Sequence, residues 1–163
     1  MSNSFPFKVK VTNENRILTI SIQGFIDKNF NNFSVELAKL SPKFDQVVFD
    51  LSELTHIDSS GIKEWIRMVE GMKPTPIVYK KCPAFFINQL NMVDGMLLFN
   101  TVVESCFVPY YSDELDKEVN LLIPVSKTAA AINAIQAEIE RDGVKYKIDV
   151  VKENFFKFLR MKN

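Results

Sequence analysis

Residues 47–62, Val47-Val48-Phe49-Asp50-Leu51-Ser52-Glu53-Leu54-Thr55-His56-Ile57-Asp58-Ser59-Ser60-Gly61-Ile62, run a buried-strand pattern into a helical one through Asp-Ser-Ser-Gly. The run 47–51, broken only by Asp50, predicts a strand buried on both faces, while Ile62, Trp65, Ile66 and Val69 repeat at helical spacing. The junction therefore presents hydroxyls at a helix N-terminus. Free backbone N–H groups and the positive end of the helix dipole favour negative charge there, so a phosphate on Ser59 or Ser60 is locally tolerated.

The flanking pattern extends this unit into a sheet. Phe7-Lys8-Val9-Lys10-Val11 alternates apolar and polar residues, Asn13-Glu14-Asn15 supplies a turn, and 17–22 alternates again, which predicts a hairpin. Phe33, Leu37 and Leu40 mark a helix face that closes before Ser41-Pro42. After the strand 46–51 come a helix over 60–72 that ends at Gly71 and Pro74, a strand over 77–81, and a helix with Phe86, Leu90, Val93 and Leu97 on one face. Such alternation predicts an α/β fold, a mixed and mostly parallel sheet with right-handed crossovers and an antiparallel edge from the hairpin. Beyond it, 103–111 and 119–125 read as strands joined by Ser112-Asp113-Glu114. Ser126 is placed to cap a helix with Ile132, Ile135 and Ile139 on one side, and Gly143 to end it. A strand over 145–151 and a short aromatic helix with Phe155, Phe156 and Leu159 complete the pattern. The expected organisation is a main domain over 1–111 and a C-terminal βαβα extension over 112–163.

Composition narrows the function classes. An apolar fraction of 47% in 163 residues supports a sizeable core. Twenty basic and twenty acidic residues cancel with no Lys/Arg block, so the electrostatic footprint of nucleic-acid binding is missing. Residues 1–6 lack the basic and apolar regions of a signal sequence, and no stretch reaches the roughly 20 apolar residues of a membrane span, so a cytoplasmic protein is expected. Cys82 and Cys106 form no Cys-x-x-Cys and read as buried thiols rather than as a zinc site or a disulfide. No metal and no cofactor is expected.

Four elements in order carry a family resemblance: Leu18-Thr19-Ile20-Ser21-Ile22-Gln23-Gly24-Phe25-Ile26-Asp27, the segment from Val47 through Asp-Leu-Ser to Asp58-Ser59-Ser60-Gly61-Ile62, the strand Pro76-Ile77-Val78-Tyr79, and the helix over 83–97. The chain resembles the STAS family of bacterial anti-sigma-factor antagonists over roughly residues 8–110. The resemblance implies that Ser59 is the phosphoacceptor, that Asp58 and Asp27 shape an acidic partner-binding face, that Ser60 and Gly61 form the helix start, and that Ile62 lies near the contact rim. It also implies partner switching in transcription regulation. The unphosphorylated domain binds an anti-sigma factor that is also a serine kinase, phosphorylation releases it, and a serine phosphatase restores the binding form.

Each of these residues also has a plainer reading. Ser59 and Ser60 are ordinary helix-capping residues, and Asp27 can satisfy backbone donors in its own loop. Trp65 has the phase of a core residue, and the 14 phenylalanines mean an aromatic core before a ligand pocket. His56, Asp58 and Ser59 hold the residue types of a hydrolytic triad, but no Gly-x-Ser-x-Gly turn surrounds the serine, so no enzyme is expected. Neither glycine-rich nucleotide motif is present. The alternative function is a constitutive STAS signalling or scaffold domain without a phospho-switch, binding partners through residues 112–163.

Overall fold

The first hairpin turns on two residues. β1 (Phe7–Glu14) and β2 (Ile17–Ile26) pair antiparallel from Phe7 opposite Gly24 to Glu14 opposite Ile17. Asn15 and Arg16 both take positive φ, 49° and 61°, the geometry of a turn that matches the twist of its strands. In the computed structural model, which describes residues 6–125 and 132–160, this hairpin is one edge of a five-stranded sheet. β2, β3 (Gln46–Ile57), β4 (Ile77–Lys80) and β5 (Thr101–Val103) lie side by side and parallel.

Strands that are neighbours in both sequence and space need crossovers of one hand, which puts their connecting helices on one face. These are α1 (Asn31–Leu40), preceded by a single 3₁₀ turn over Lys28–Phe30, then α2 (Ser59–Gly71) and α3 (Ala84–Met92). The covered face carries Leu18, Ile20, Ile22, Val47, Phe49, Leu51, Ile77 and Tyr79, all buried. The opposite positions, Lys10, Ser21, Asp50 and Lys80, line up across four strands and face away from the helices. Burial of the covered side is what holds the layers together, at roughly 25 cal/mol per Å² of apolar surface removed from water.

Trp65 is the centre of the core, as its helical phase predicts, and is fully buried. Its ring lies 5.0 Å from Phe49, 5.3 Å from Phe86, 5.8 Å from Tyr79 and 6.1 Å from Phe30, so residues from α2, β3, α3, β4 and the 3₁₀ turn meet on one side chain. The polar atoms in this cluster are paired. Trp65 Nε1–H donates to Tyr79 Oη at 3.0 Å, and Tyr79 Oη–H donates to the Met96 carbonyl at 2.7 Å.

The chain then builds a second sheet. The stretch expected as one strand over 103–111 divides at Glu104: β5 closes the first sheet, and β6 (Ser105–Ser112) is an inner strand of a four-stranded antiparallel sheet with β7 (Lys117–Pro124), β8 (Glu138–Arg141) and β9 (Val144–Ile148). This corrects the expected helix ending at Gly143. Ile139 lies in β8 opposite Tyr146, and Asp142-Gly143, with φ 52° and 77°, forms a two-residue hairpin turn between Arg141 and Val144. Ile132 is helical, whereas the Ser126 cap lies outside the described residues.

Cys82 and Cys106 meet at the junction of the two sheets. The Cys82 N–H donates to the Ser105 carbonyl at 3.0 Å and the Phe107 N–H to the Cys82 carbonyl at 2.9 Å, a parallel bridge between them. Both thiols are free and buried. Burial, reinforced by Cys106, pushes Cys82 well above the ordinary thiol range, and burial pushes Cys106 up to about 12, so both stay protonated and unreactive at neutral pH. A single-turn helix α4 (Lys152–Phe155) and a 3₁₀ turn over Lys157–Arg160 bring Phe155, Phe156 and Phe158 into the same core. Asn91 of α3 fastens them: its Nδ2 donates to the Asn154 and Phe155 carbonyls at 3.2 and 2.9 Å, and its Oδ1 accepts from the Phe158 N–H at 2.8 Å. Among the described residues no helix is long and apolar enough to cross a membrane.

The core and the open face of the sheet each respond to a single substitution. Tyr79→Phe keeps the ring but leaves the Trp65 N–H and the Met96 carbonyl without their partner, and urea titration should give a loss of about 1–3 kcal/mol. Asp50 is the pH-sensitive group of the open face. Burial opposes its charge, but the Ser52 hydroxyl and N–H and the Lys81 ammonium outweigh burial and hold the carboxyl below its usual range. Its contribution is complete above the unfolded carboxylate value of about 3.9 and vanishes as pH falls through the folded value. Asp50→Asn should therefore flatten the acid limb of a stability profile measured from pH 7 to pH 2.

Candidate functional site

The ends of two adjacent parallel strands create the site. Ile26 pairs with Ile57, so the next residue of each strand, Asp27 and Asp58, emerges from neighbouring positions at the same end of the sheet. Both aspartates have extended backbone, and each caps the helical turn that begins just after it. Asp27 Oδ1 accepts from the Asn29 N–H and its Oδ2 from Asn29 Nδ2, each at 2.9 Å, opening the turn over Lys28–Phe30. Asp58 Oδ1 accepts from the Gly61 N–H at 2.7 Å, and the Asp58 carbonyl accepts from the Ile62 N–H at 2.8 Å, opening α2.

The capping role considered for the serines is thus taken by Asp58. Ser59 and Ser60 occupy the first turn of α2, both exposed, and neither hydroxyl joins a hydrogen bond among the described residues. Asp27 and Asp58 are half-buried, Ile62 is half-buried against the core, and Gly61 is buried. The Gly61 requirement is steric: a Cβ there would lie 2.4 Å from the Ile26 carbonyl oxygen. That same carbonyl accepts from the Asp58 N–H at 3.1 Å, so the start of α2 lies directly on the end of β2.

His56 does not serve Ser59. Its exposed ring lies 5.0 Å from Phe25 and 6.3 Å from Phe85, on the adjoining strand and on α3, and no hydrogen bond joins it to Ser59 among the described residues. No group of His, Cys, Asp and Glu side chains converges as metal ligands among the described residues.

Sequence reasoning missed Glu64. This α2 residue is only 8% exposed, and its carboxylate accepts from Asn31 Nδ2 at 2.8 Å and from Arg67 Nη1 at 2.7 Å. The available signal was an acidic residue beside Trp65, three positions after the buried Gly61 and four before the buried Met68.

No family model matches the chain, and no curated protein matches it. Solved structures do overlap with part of it. An anti-sigma factor antagonist from Mycobacterium paratuberculosis is 19% identical, covers 47% of this chain and 68% of its own, and superposes with a TM-score of 0.40. The anti-sigma factor antagonist SpoIIAA in its unphosphorylated form is 11% identical, covers 45% and 71% of the two chains, and gives 0.38. An antisigma-factor antagonist STAS domain from Rhodobacter sphaeroides is 17% identical, covers 45% and 82%, and gives 0.36. Each overlap spans less than half of this chain.

The geometry separates the residues that build the junction from the two serines whose hydroxyls take no part in it. Gly61→Ala should destabilise by about 3 kcal/mol, since the contact is with backbone that cannot turn aside. Asp58→Ala should cost about 1 kcal/mol as a lost cap. Ser59→Ala should stay within about 0.5 kcal/mol of the parent protein. Chemical denaturation of the three variants checks the order.

Proposed function

We propose that this chain is a STAS-type, phosphorylation-regulated protein-binding module, a cytoplasmic antagonist that binds an anti-sigma factor with serine kinase activity while Ser59 is unphosphorylated. The observation that carries this reading is an exposed, unbonded Ser59 hydroxyl beside two capping aspartates at the ends of β2 and β3. Asp27, Asp58, Ser60 and Ile62 form the surrounding contact face, and the expected role of Gly61 in it is indirect, since Gly61 is buried and seats the helix start beneath that face. Residues 1–111 are the STAS-like domain in this reading, and 112–163 are the extension that packs with it. Binding, not catalysis, is the role of the junction, and a serine phosphatase returns the module to its binding form.

The chemistry of the switch depends on where the charge falls. Phosphorylation adds about −1.5 to −2 charges at neutral pH. On the free domain that charge is solvated and lies at the positive end of α2, so the fold tolerates it. In a complex it must lose water beside Asp27 and Asp58, so the penalty falls on the interface. A loss of about 2.8 kcal/mol weakens binding roughly a hundredfold without any conformational change.

The decisive experiment is intact-mass and peptide mass spectrometry of the protein from its native cells across growth and stress conditions. Phosphate on Ser59 in part of the population is the expected result. A peptide spanning Glu53 to Lys63 without phosphate under every condition would overturn the switch and leave the constitutive scaffold, with residues 112–163 as the binding element.

A further inference from the structure

We propose that Glu64 is a positioning residue for the Ser59 face, holding the loop that carries Asp27 in a fixed relation to the first turn of α2. This deepens the reading of Ser59 as the centre of a partner-binding surface and rests on it. Burying a carboxylate carries a desolvation cost that an apolar side chain of similar volume avoids, and Glu64 is only 8% exposed. What an apolar residue cannot supply is direction.

Glu64 has two directed contacts, one to each oxygen. Arg67, one turn further along α2, donates to Oε1 and so fixes the carboxylate on its own helix. Oε2 is then left to accept from Asn31, which opens α1 immediately after the turn that Asp27 caps. The neighbouring pair repeats the connection with apolar groups: Phe30, just before Asn31, stacks on Trp65, just after Glu64. At the other end of the loop, Gly61 lies against the Ile26 carbonyl. Residues 27–31 are therefore held to α2 at both ends, with the Asn31–Glu64 bond as the directional hold. An Asp27 that drifted relative to Ser59 would no longer concentrate negative charge around the serine.

Amide hydrogen exchange on the full chain, with no partner present, tests this. Asn31 is exposed, so Asn31→Ala removes the bond to Glu64 without disturbing the core. The reporters are the Asn29 N–H, which donates to Asp27 Oδ1, and the Phe30 N–H, which donates to the Asp27 carbonyl. Exchange at both should accelerate by about tenfold, while the Gly61 N–H and the Ile20 N–H in the sheet keep their parent rates. The exchanged pair Asn31→Asp with Glu64→Gln reverses the donor and acceptor, leaves the Gln oxygen to accept from Arg67, and should return both reporters to within about twofold of the parent. Acceleration at Asn29 and Phe30 no greater than at Ile20, or failure of the exchanged pair to restore them, would overturn the proposal. The outcome is independent of whether Ser59 carries phosphate in cells, so the two readings fail separately.

Discussion

The structure depends on one close approach, the seating of the α2 N-terminus on the last carbonyl of β2. The Ile26 oxygen accepts from the Asp58 N–H and leaves no room for a side chain at Gly61. Because that approach fixes where α2 starts, it fixes where Trp65 arrives one turn later, and Trp65 gathers rings from the strands and helices around it. The candidate site and the core are two ends of the same constraint. The aspartates are spent on capping, which leaves the serines facing solvent with nothing to hold.

This division explains how a reactive-looking surface coexists with a rigid support. The dense aromatic packing beneath the junction has paired polar atoms, and a well-packed interior resists small displacements. The first turn of α2 thus rests on a packed interior while its two serine side chains face solvent. The open side of the sheet is different in character, since Lys10, Ser21, Asp50 and Lys80 form a polar row across it, and Asp50 is bound to Ser52 and Lys81.

Much of the first sheet was legible because its signals are local. Alternation in β1 and β2, the apolar run of β3 and the helical phase of Ile62, Trp65 and Val69 each report one face of one element, and the structure keeps them. β3 continues to Ile57, past the expected 51, because Leu54 and Ile57 carry burial onward beside β2. The second sheet was less legible because its signals have two meanings. Asp142-Gly143 serves equally as a helix stop or a hairpin turn, and only the pairing of Arg141 with Val144 decides. The strand split at Glu104 and the meeting of Cys82 with Cys106 depend on contacts across sheets, which no single window of sequence contains. At the candidate site, the sequence placed Asp58, Ser59, Ser60 and Gly61 at a strand-to-helix junction, but the assignment of capping to Asp58 and the burial of Glu64 required the third dimension.

The three hydrogen bonds at Asn91 have a consequence for how the molecule comes together. α4 has four residues, far below the length at which a helix sustains itself in water, and its shape is borrowed from α3. The path of residues 152–160 is thus set from outside the segment, by α3 and the shared core, so a change at Asn91 would loosen the C-terminal turns without touching any residue in them.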